Sequence, residues 1–199
     1  MAIIHWTDPL ELLVKKEAEK ALALRWAHDE AQRWCSNWNT RLFFPSVILS
    51  VFSGAGSVGA SNLLPFEGAA TFIGIVSLLV GMLQTVSNYL AFAKRSESHR
   101  IASISYGKIH AHLAFELGKP RSERLGAEDV IDFIKTETDR LSEIAPQLPQ
   151  KIKDDFHLKF GTTQTAIPTV LNGLEEVSIT ALSSIHENFT PRPVVRVVV

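Results

Sequence analysis

Residues 42–66 read LFFPSVILSVFSGAGSVGASNLLPF, and after Glu67 residues 68–93 read GAATFIGIVSLLVGMLQTVSNYLAFA. Glu67 is the only charged residue between Leu42 and Ala93. An ordinary soluble stretch of that length carries about a quarter charged residues, or roughly thirteen. The other 40 charged residues fall in the remaining 147 positions, so an unremarkable average composition covers two chemically different zones. As a helix rising about 1.5 Å per residue, each uncharged run reaches roughly 38 Å. A hydrocarbon core is about 30 Å thick, so both runs are long enough to cross it with some tilt. Lipid offers the backbone no hydrogen-bond partners, which requires helices. Pro65 and Gly68 supply turn chemistry between the runs, and Glu67 gives the turn a solvated tip. The competing reading is a pair of core helices in a soluble protein. Such helices need apolar surroundings on every side, and the rest of the chain is too polar to supply them. The expected fold class is therefore all-α: a two-span transmembrane hairpin, 42–66 and 68–93 with its turn near 62–68, extended by cytosolic amphipathic helices.

The flanks orient the hairpin. Arg33 and Arg41 precede the first span, Lys94, Arg95 and Arg100 follow the second, and the turn carries no Lys or Arg. Basic flanks stay on the cytosolic side, which puts both termini in the cytosol and the turn outside. Trp34, Trp38, Tyr89 and Phe92 lie at the same basic end and read as an aromatic belt. The expected interface anchors are Trp34, Trp38, Arg41, Tyr89, Lys94 and Arg95.

Both spans carry small and polar residues at helical spacing. The first has Ser46, Ser50, Ser53, Gly54, Ser57 and Ser61, with Ala55/Gly59 and Gly56/Ala60 as small-xxx-small pairs. The second has Gly74, Ser77, Gly81, Gln84, Thr85 and Asn88. Small residues let helix backbones approach closely, and in lipid packing drives association. Ser50, Ser57, Ser61, Gly74, Ser77, Gly81, Gln84 and Asn88 are thus candidates for a helix-packing face or a pore face, and both readings stay open. Neither span contains Asp, Glu, Lys, Arg or His, one of which an ion or proton relay normally uses. A pump or transporter is disfavoured; a wide, unselective pore or no pore at all remains.

The cytosolic zones read as helices. Thr7-Asp8-Pro9 is a cap followed by proline at the first helical position. Leu10, Val14, Glu17, Ala21, Leu24, His28, Ala31, Cys35 and Trp38 then recur in steps of four and three, a heptad seam with two polar lapses. Nothing breaks this helix before Pro45, so it is expected to run into the first span with a kink there. The second span continues past Lys94 with no breaker until Gly107, and Leu117-Gly-Lys-Pro-Arg-Ser122 ends that helix. A helix over 126–145 shows Val130, Ile134, Leu141 and Ile144 on one face and is closed by Pro146 and Pro149. A short one over 150–160 uses Ile152, Phe156 and Phe160, and a last one over 169–187 uses Val170, Leu174, Val177, Ala181 and Ile185. The expected organisation is 1–41, a cytosolic amphipathic helix; 42–93, the hairpin; 94–161, a cytosolic helical region; and 162–199, a helix and Val-rich tail. In that tail Val194, Val195, Arg196, Val197, Val198 and Val199 have high β propensity and suit addition to a partner's sheet edge.

Catalytic signatures are missing. There is no phosphate-cradling glycine loop, no GxSxG and no HExxH. His110 and His112, two apart on a helix, point in different directions and do not suit shared metal ligation. His28 is expected to be a packed or interfacial histidine. Asp154-Asp155 and Glu175-Glu176 read as solvated helix faces. Cys35 is the only cysteine, which rules out an intrachain disulfide and fits a reducing compartment. The first 41 residues are charged and helix-prone, and no cleavable signal is expected. Asn188-Phe-Thr190 matches a glycosylation acceptor that a cytosolic position leaves unused. Net charge is −1, which names no nucleic-acid partner. No enzyme activity, cofactor or metal is expected.

The order of these parts carries a resemblance. A Trp-bearing amphipathic helix precedes a two-span hairpin with a short polar turn. Lys94-Arg95 then leads into His99-Arg100-Ile-Ala-Ser-Ile-Ser-Tyr106, Leu117-Gly-Lys-Pro-Arg121 and Ile144-Ala-Pro-Gln-Leu-Pro149. Over roughly residues 6–160 this resembles the SLATT proteins (SMODS and SLOG-associating two-transmembrane effectors), which occur in bacterial defence systems, in fungi and in large DNA viruses. The resemblance implies an oligomeric membrane pore or scaffold effector that responds to a cytosolic sensor. No sensor domain is expected within residues 1–199, and the tail after Gly161 lies outside the family pattern. A second class therefore stands beside it: a structural membrane protein of a membrane-containing virion, a minor capsid component whose tail ties the bilayer to a protein shell. The expected partners are a lipid bilayer, further copies of the chain and, in the second class, a capsid or other shell protein.

Overall fold

The computed structural model describes residues 5–63, 68–163 and 165–173, with 57–63 described by backbone alone. The described residues form helices and connecting turns, with no strand among them. α1 spans Asp8–Leu63, α2 Ala69–Leu90, α3 Phe92–Gly118, α4 Ala127–Ile144, α5 Gln150–Phe160 and α6 Thr169–Asn172; a single 3-10 turn, Arg121–Glu123, precedes α4.

α1 is 56 residues long because little in its sequence can stop it. Pro45 is its one internal proline, and it removes one backbone donor without ending the helix. Next to it the Ser46 hydroxyl donates to the Phe43 carbonyl at 3.0 Å. Along the first part of α1 the heptad seam is buried at Val14, Ala21, His28, Ala31 and Cys35 and half-buried at Leu10, Glu17 and Leu24. Trp38, its last member, is 38 % exposed.

The returning chain pairs with α1 along its length. The Ser103 hydroxyl donates to the Arg25 carbonyl at 3.2 Å, the Ser96 hydroxyl to the Gln32 carbonyl at 3.2 Å, and His110 Nδ1 to the Ala18 carbonyl at 3.0 Å. Farther up, Ser53 is hydrogen-bonded to Ser77, and Gly56 lies against Ile73. α1 and the α2–α3 arm therefore form one antiparallel pair, in a nearly constant register on both sides of the break at Ala91. That break departs from the unbroken helix expected of the sequence. Ala91 adopts the left-handed conformation, φ 46° and ψ 40°, and its amide closes α2 on the Ser87 carbonyl at 3.0 Å. No glycine or proline announces it.

The other helices cover one side of the α1–α3 half. α4 brings Val130 and Leu141, both buried, against Val14, Ala18 and Ala21 of α1 and Tyr106, Ile109 and Leu113 of α3. α5 brings Ile152 and Phe156, joined by Leu148 and Leu171, against Ala27 and Ala31. Trp26 of α1 meets Phe160 edge-on at 5.1 Å. The Leu117–Arg124 turn is clamped to the start of α1: Glu11 accepts from both Arg121 and Arg124 at 2.6 Å, and Arg124 also donates to the Leu117 and Lys119 carbonyls. Buried Glu116 accepts from Lys119 at 2.6 Å and from the Leu125 amide at 3.1 Å.

Two expectations shift. Ile144 is 55 % exposed, because α4 ends there and the chain turns away at Ala145. α6 stops at Asn172, since Gly173 takes φ 81° and ψ −130°. Its buried residue is Leu171, while Val170 is 53 % exposed, so the face begins one position later than the spacing suggested. Residues 174–187 of the expected last helix and the Val-rich tail lie outside the described residues.

Candidate functional site

The candidate site is the α1–α2 layer with the collar where it meets the bundle of α1, α3, α4 and α5. Its seam is narrow. From α1 it takes Leu42, Ser46, Leu49, Ser53 and Gly56, and from α2 Ala69, Ile73, Val76, Val80, Leu83 and Ser87, all buried or half-buried. Both series advance in steps of four and three, the coiled-coil spacing. A Cβ at Gly56 would lie 3.0 Å from Ile73 Cδ1, so glycine sets how closely the helices approach. The Ser77 hydroxyl, bonded to Ser53, also donates to the Ile73 carbonyl at 2.9 Å.

The candidate packing or pore residues divide around this seam. Ser77 stands at its edge. Ser50, Gly74, Gly81, Gln84 and Asn88 are exposed and point away from α1. A Cβ at Gly74 or Gly81 would meet open space. Gly81 lies in a shallow hollow of about 470 Å³ with Leu78, Met82, Thr85 and Val86. The side chains of Ser57 and Ser61 lie outside the described residues. The members of the small-residue stripe placed inside the hairpin are Ser46, Ser53 and Gly56.

The rest of the layer is large, apolar and uncovered. Phe43, Phe44, Val47, Ile48, Val51 and Phe52 of α1 are exposed, and so are Phe72, Ile75, Leu78, Leu79, Met82 and Val86 of α2. The run 69–118 contains a segment long and apolar enough to cross a membrane, and only 11 % of that segment is buried. It is the one such helix among the described residues.

The collar gathers the expected anchors. Trp34 meets Phe92 edge-on at 5.8 Å, Trp38 stacks on Phe92 at 6.3 Å, and the Arg41 guanidinium lies 5.6 Å from the Trp38 ring. Tyr89 is 87 % exposed, and Lys94 and Arg95 are exposed beside it. Phe92 reaches the two tryptophans because the left-handed turn at Ala91 ends α2 just before it.

Below the collar the structure assembles a cluster that the sequence reading took only in part. His28 Nδ1 and His99 Nδ1 are 2.9 Å apart, so one ring donates and the other accepts. Tyr106 stacks on His28 at 5.5 Å and 15°. Burial, and then the neighbouring His99, depress the His28 pKa to about 4; burial, and then Arg95, lower that of His99. Burial raises that of the Tyr106 hydroxyl. Cys35 is buried one layer up, and its thiol is raised by burial against the opposing pull of Arg95. His28 and Tyr106 wall a cavity of about 460 Å³ with Leu24, Ile134, Thr138 and Leu148. His99 and Tyr106 are two helical turns apart on α3, in line with Ala102, Ile109 and Leu113; that periodicity was readable and unused. His110 and His112 diverge, one to the Ala18 carbonyl and one to the Phe133 ring at 4.5 Å. Among the described residues no three His, Cys, Asp or Glu side chains are grouped to hold a metal ion.

No family model, curated protein or solved structure matches the chain.

Proposed function

We propose that the chain is a non-enzymatic integral membrane protein that crosses the bilayer twice and self-associates through its spans, acting as a SLATT-like pore or scaffold effector. The observation carrying this reading is the exposed apolar surface of the α1–α2 layer. Two helices pack over a narrow seam and turn a band of Phe, Leu, Ile, Val and Met outward. An exposed band of that kind marks a membrane or interaction surface. α1 from Leu42 supplies the crossing that partners α2, and the aromatic and basic collar sits where the headgroups would be. Ser50, Gly81, Gln84 and Asn88 face outward with the lipid-facing residues, which suits contacts between copies, where small and amide-bearing side chains are most useful.

Topology is tested on the full chain with Cys35→Ser as background. A cysteine at Glu67 reacts with an impermeant thiol reagent added outside intact vesicles of native orientation, and one at Lys94 does not. Reaction only at Lys94 reverses the orientation. Full release into the supernatant by alkaline carbonate removes the hairpin reading. Pore and scaffold separate in planar bilayers: Gln84→Leu with Asn88→Leu abolishes conductance if that face lines water, and a chain that never conducts is a scaffold.

A further inference from the structure

α4 and α5 cover only one side of the α1–α3 pair. On the other side a groove of about 720 Å³ runs between the helices, lined by Leu22, Arg25 and Asp29 of α1 and Ile104, Gly107 and Lys108 of α3. Leu22 and Ile104 are exposed at its rim. Gly107 leaves room for the Arg25 side chain, which would lie 3.2 Å from a Cβ placed there. Arg25 and Lys108 are exposed, and neither has an ion-pair partner among the described residues, whereas nearby Arg100 is held by Glu97 and Asp29 by Arg33. The groove thus presents two cations unpaired among the described residues, in a frame of mixed apolar and polar side chains.

The matching surface is on the same chain. Glu128, Asp132, Asp139 and Glu143 are exposed and recur on α4 at helical spacing, on the face opposite buried Val130 and Leu141, with exposed Lys135 the one cation among them. None has an ion-pair partner among the described residues; Glu137, off this stripe, is the one that holds Arg140. We propose that the groove is the seat for the acidic face of α4 from a second copy of the chain, with Arg25 and Lys108 opposite Asp139 and Glu143.

Two geometric facts favour this occupant. Arg25 is sixteen residues below Arg41, or about 24 Å along the helix, which removes the groove from the lipid headgroups. Thr138 and Ser142 line the cavity shared with Lys20, Leu24 and His28, so Asp139 and Glu143 stand at the height of Arg25. Copies related by rotation about the membrane normal meet at equal height, and these groups satisfy that condition. The groove uses the side of α1 bearing Leu22, Arg25 and Asp29, and α4 lies on the side bearing Glu17, Ala21 and Leu24. The contact is therefore head-to-tail rather than two-fold, and it forms a ring where the rotation between copies closes.

The inference rests on the self-association proposed above, and the experiment separates the two. The full chain is purified in non-ionic detergent and its mass followed by light scattering over a dilution series. Arg25→Glu with Lys108→Glu weakens the oligomer at least tenfold, Asp139→Lys with Glu143→Lys does the same, and the four changes together restore it. In a Cys35→Ser background, Lys108→Cys with Asp139→Cys gives disulfide-linked ladders. Reversals that leave the oligomer intact, while Gly81→Leu dissolves it, overturn the groove contact and leave association through the spans standing. A chain monomeric at every concentration overturns both.

Discussion

The same pair of antiparallel helices is built in two opposite ways along its length. Below the collar α1, α3 and α4 enclose an apolar cluster: Val14, Leu113 and Leu141 are completely covered, and among the described residues every buried side-chain polar atom has a hydrogen-bond partner. Above it α1 and α2 meet over one narrow seam, with Ser46, Ala69, Ile73 and Val80 buried, and leave most of their large side chains outside it, so Phe52 and Leu78 are 71 % and 68 % exposed. The lower half is assembled as a water-soluble protein is, by removing apolar area from water. In the upper half that driving force has no meaning if the surroundings are lipid, and close backbone approach over Gly56 and Ser53 takes its place. One helix thus takes part in two kinds of packing, and its sequence loses its charges after Arg41.

The largest expected effect tests this contrast. Leu113→Ala empties a fully buried site and destabilises the bundle by about 2–5 kcal/mol. Leu78→Ala, on the outward face of α2, changes stability by less than about 1 kcal/mol. Denaturation of the full chain in detergent, followed by tryptophan fluorescence, measures both. Equal losses would mean that the outward face of α2 is covered by protein, and the contrast would fail.

The histidine pair comes next. An unfolded histidine takes up its proton near pH 6.5, and His28 in the fold only near 4. Between those values the unfolded state binds more protons, so stability falls as pH falls; the contribution is complete above 6.5 and lost by about 4. That loss is about 3 kcal/mol, and His99, depressed for the same reason, adds in the same direction. The groups facing the pair are Tyr106, whose hydroxyl burial pushes further up from its ordinary range, and the Arg95 guanidinium. Melting temperature between pH 7 and 4.5 should drop in the parent chain and stay much flatter in His28→Gln. A flat parent profile would show that the rings are not held neutral. No titratable group lies in the seam of the upper half, so this sensitivity belongs to the lower half alone.

The seam of the upper half answers to size. Gly56→Leu drives a side chain into Ile73 and should loosen the hairpin by about 1–3 kcal/mol. Gly81→Leu meets open space within the chain and should leave the hairpin intact, weakening only contacts between copies. Disulfide trapping of Ser53→Cys with Ser77→Cys reports the first, and oligomer mass the second. If Gly81→Leu also prevents trapping, the seam runs through the stripe read from the sequence.

Much of this was legible in the residues. The heptad from Leu10 to Cys35 and the α5 boundaries at 150–160 follow from periodicity and proline punctuation, which are local signals. Charge depletion marked the apolar zone. Which small residues face inward was not legible: Ser50 and Ser53 are equally small, and only the partner helix separates them. Nor did Arg25, Lys108 and Asp139 stand out, because free and paired charges look alike in a sequence. The clamp at Glu11 was invisible for the same reason, since it joins residues more than a hundred positions apart.

Ala91 marks the point where the two halves meet, and the smallest predicted effect tests it. The sequence around it reads as uninterrupted helix. In such a helix Ala91→Gly costs about 1 kcal/mol, because glycine loses more backbone freedom on folding than alanine. In the observed left-handed conformation an alanine already carries about 1–2 kcal/mol of steric strain that glycine does not. The two terms nearly cancel, so Ala91→Gly should be neutral or stabilising by less than about 1 kcal/mol. Ala91→Val, β-branched, should destabilise by at least as much as the alanine is strained. The opposite order, glycine harmful and valine tolerated, would mean that α2 and α3 are one straight helix. Phe92 would then be turned away from Trp34 and Trp38, and the collar would lose the stacking that joins its two sides.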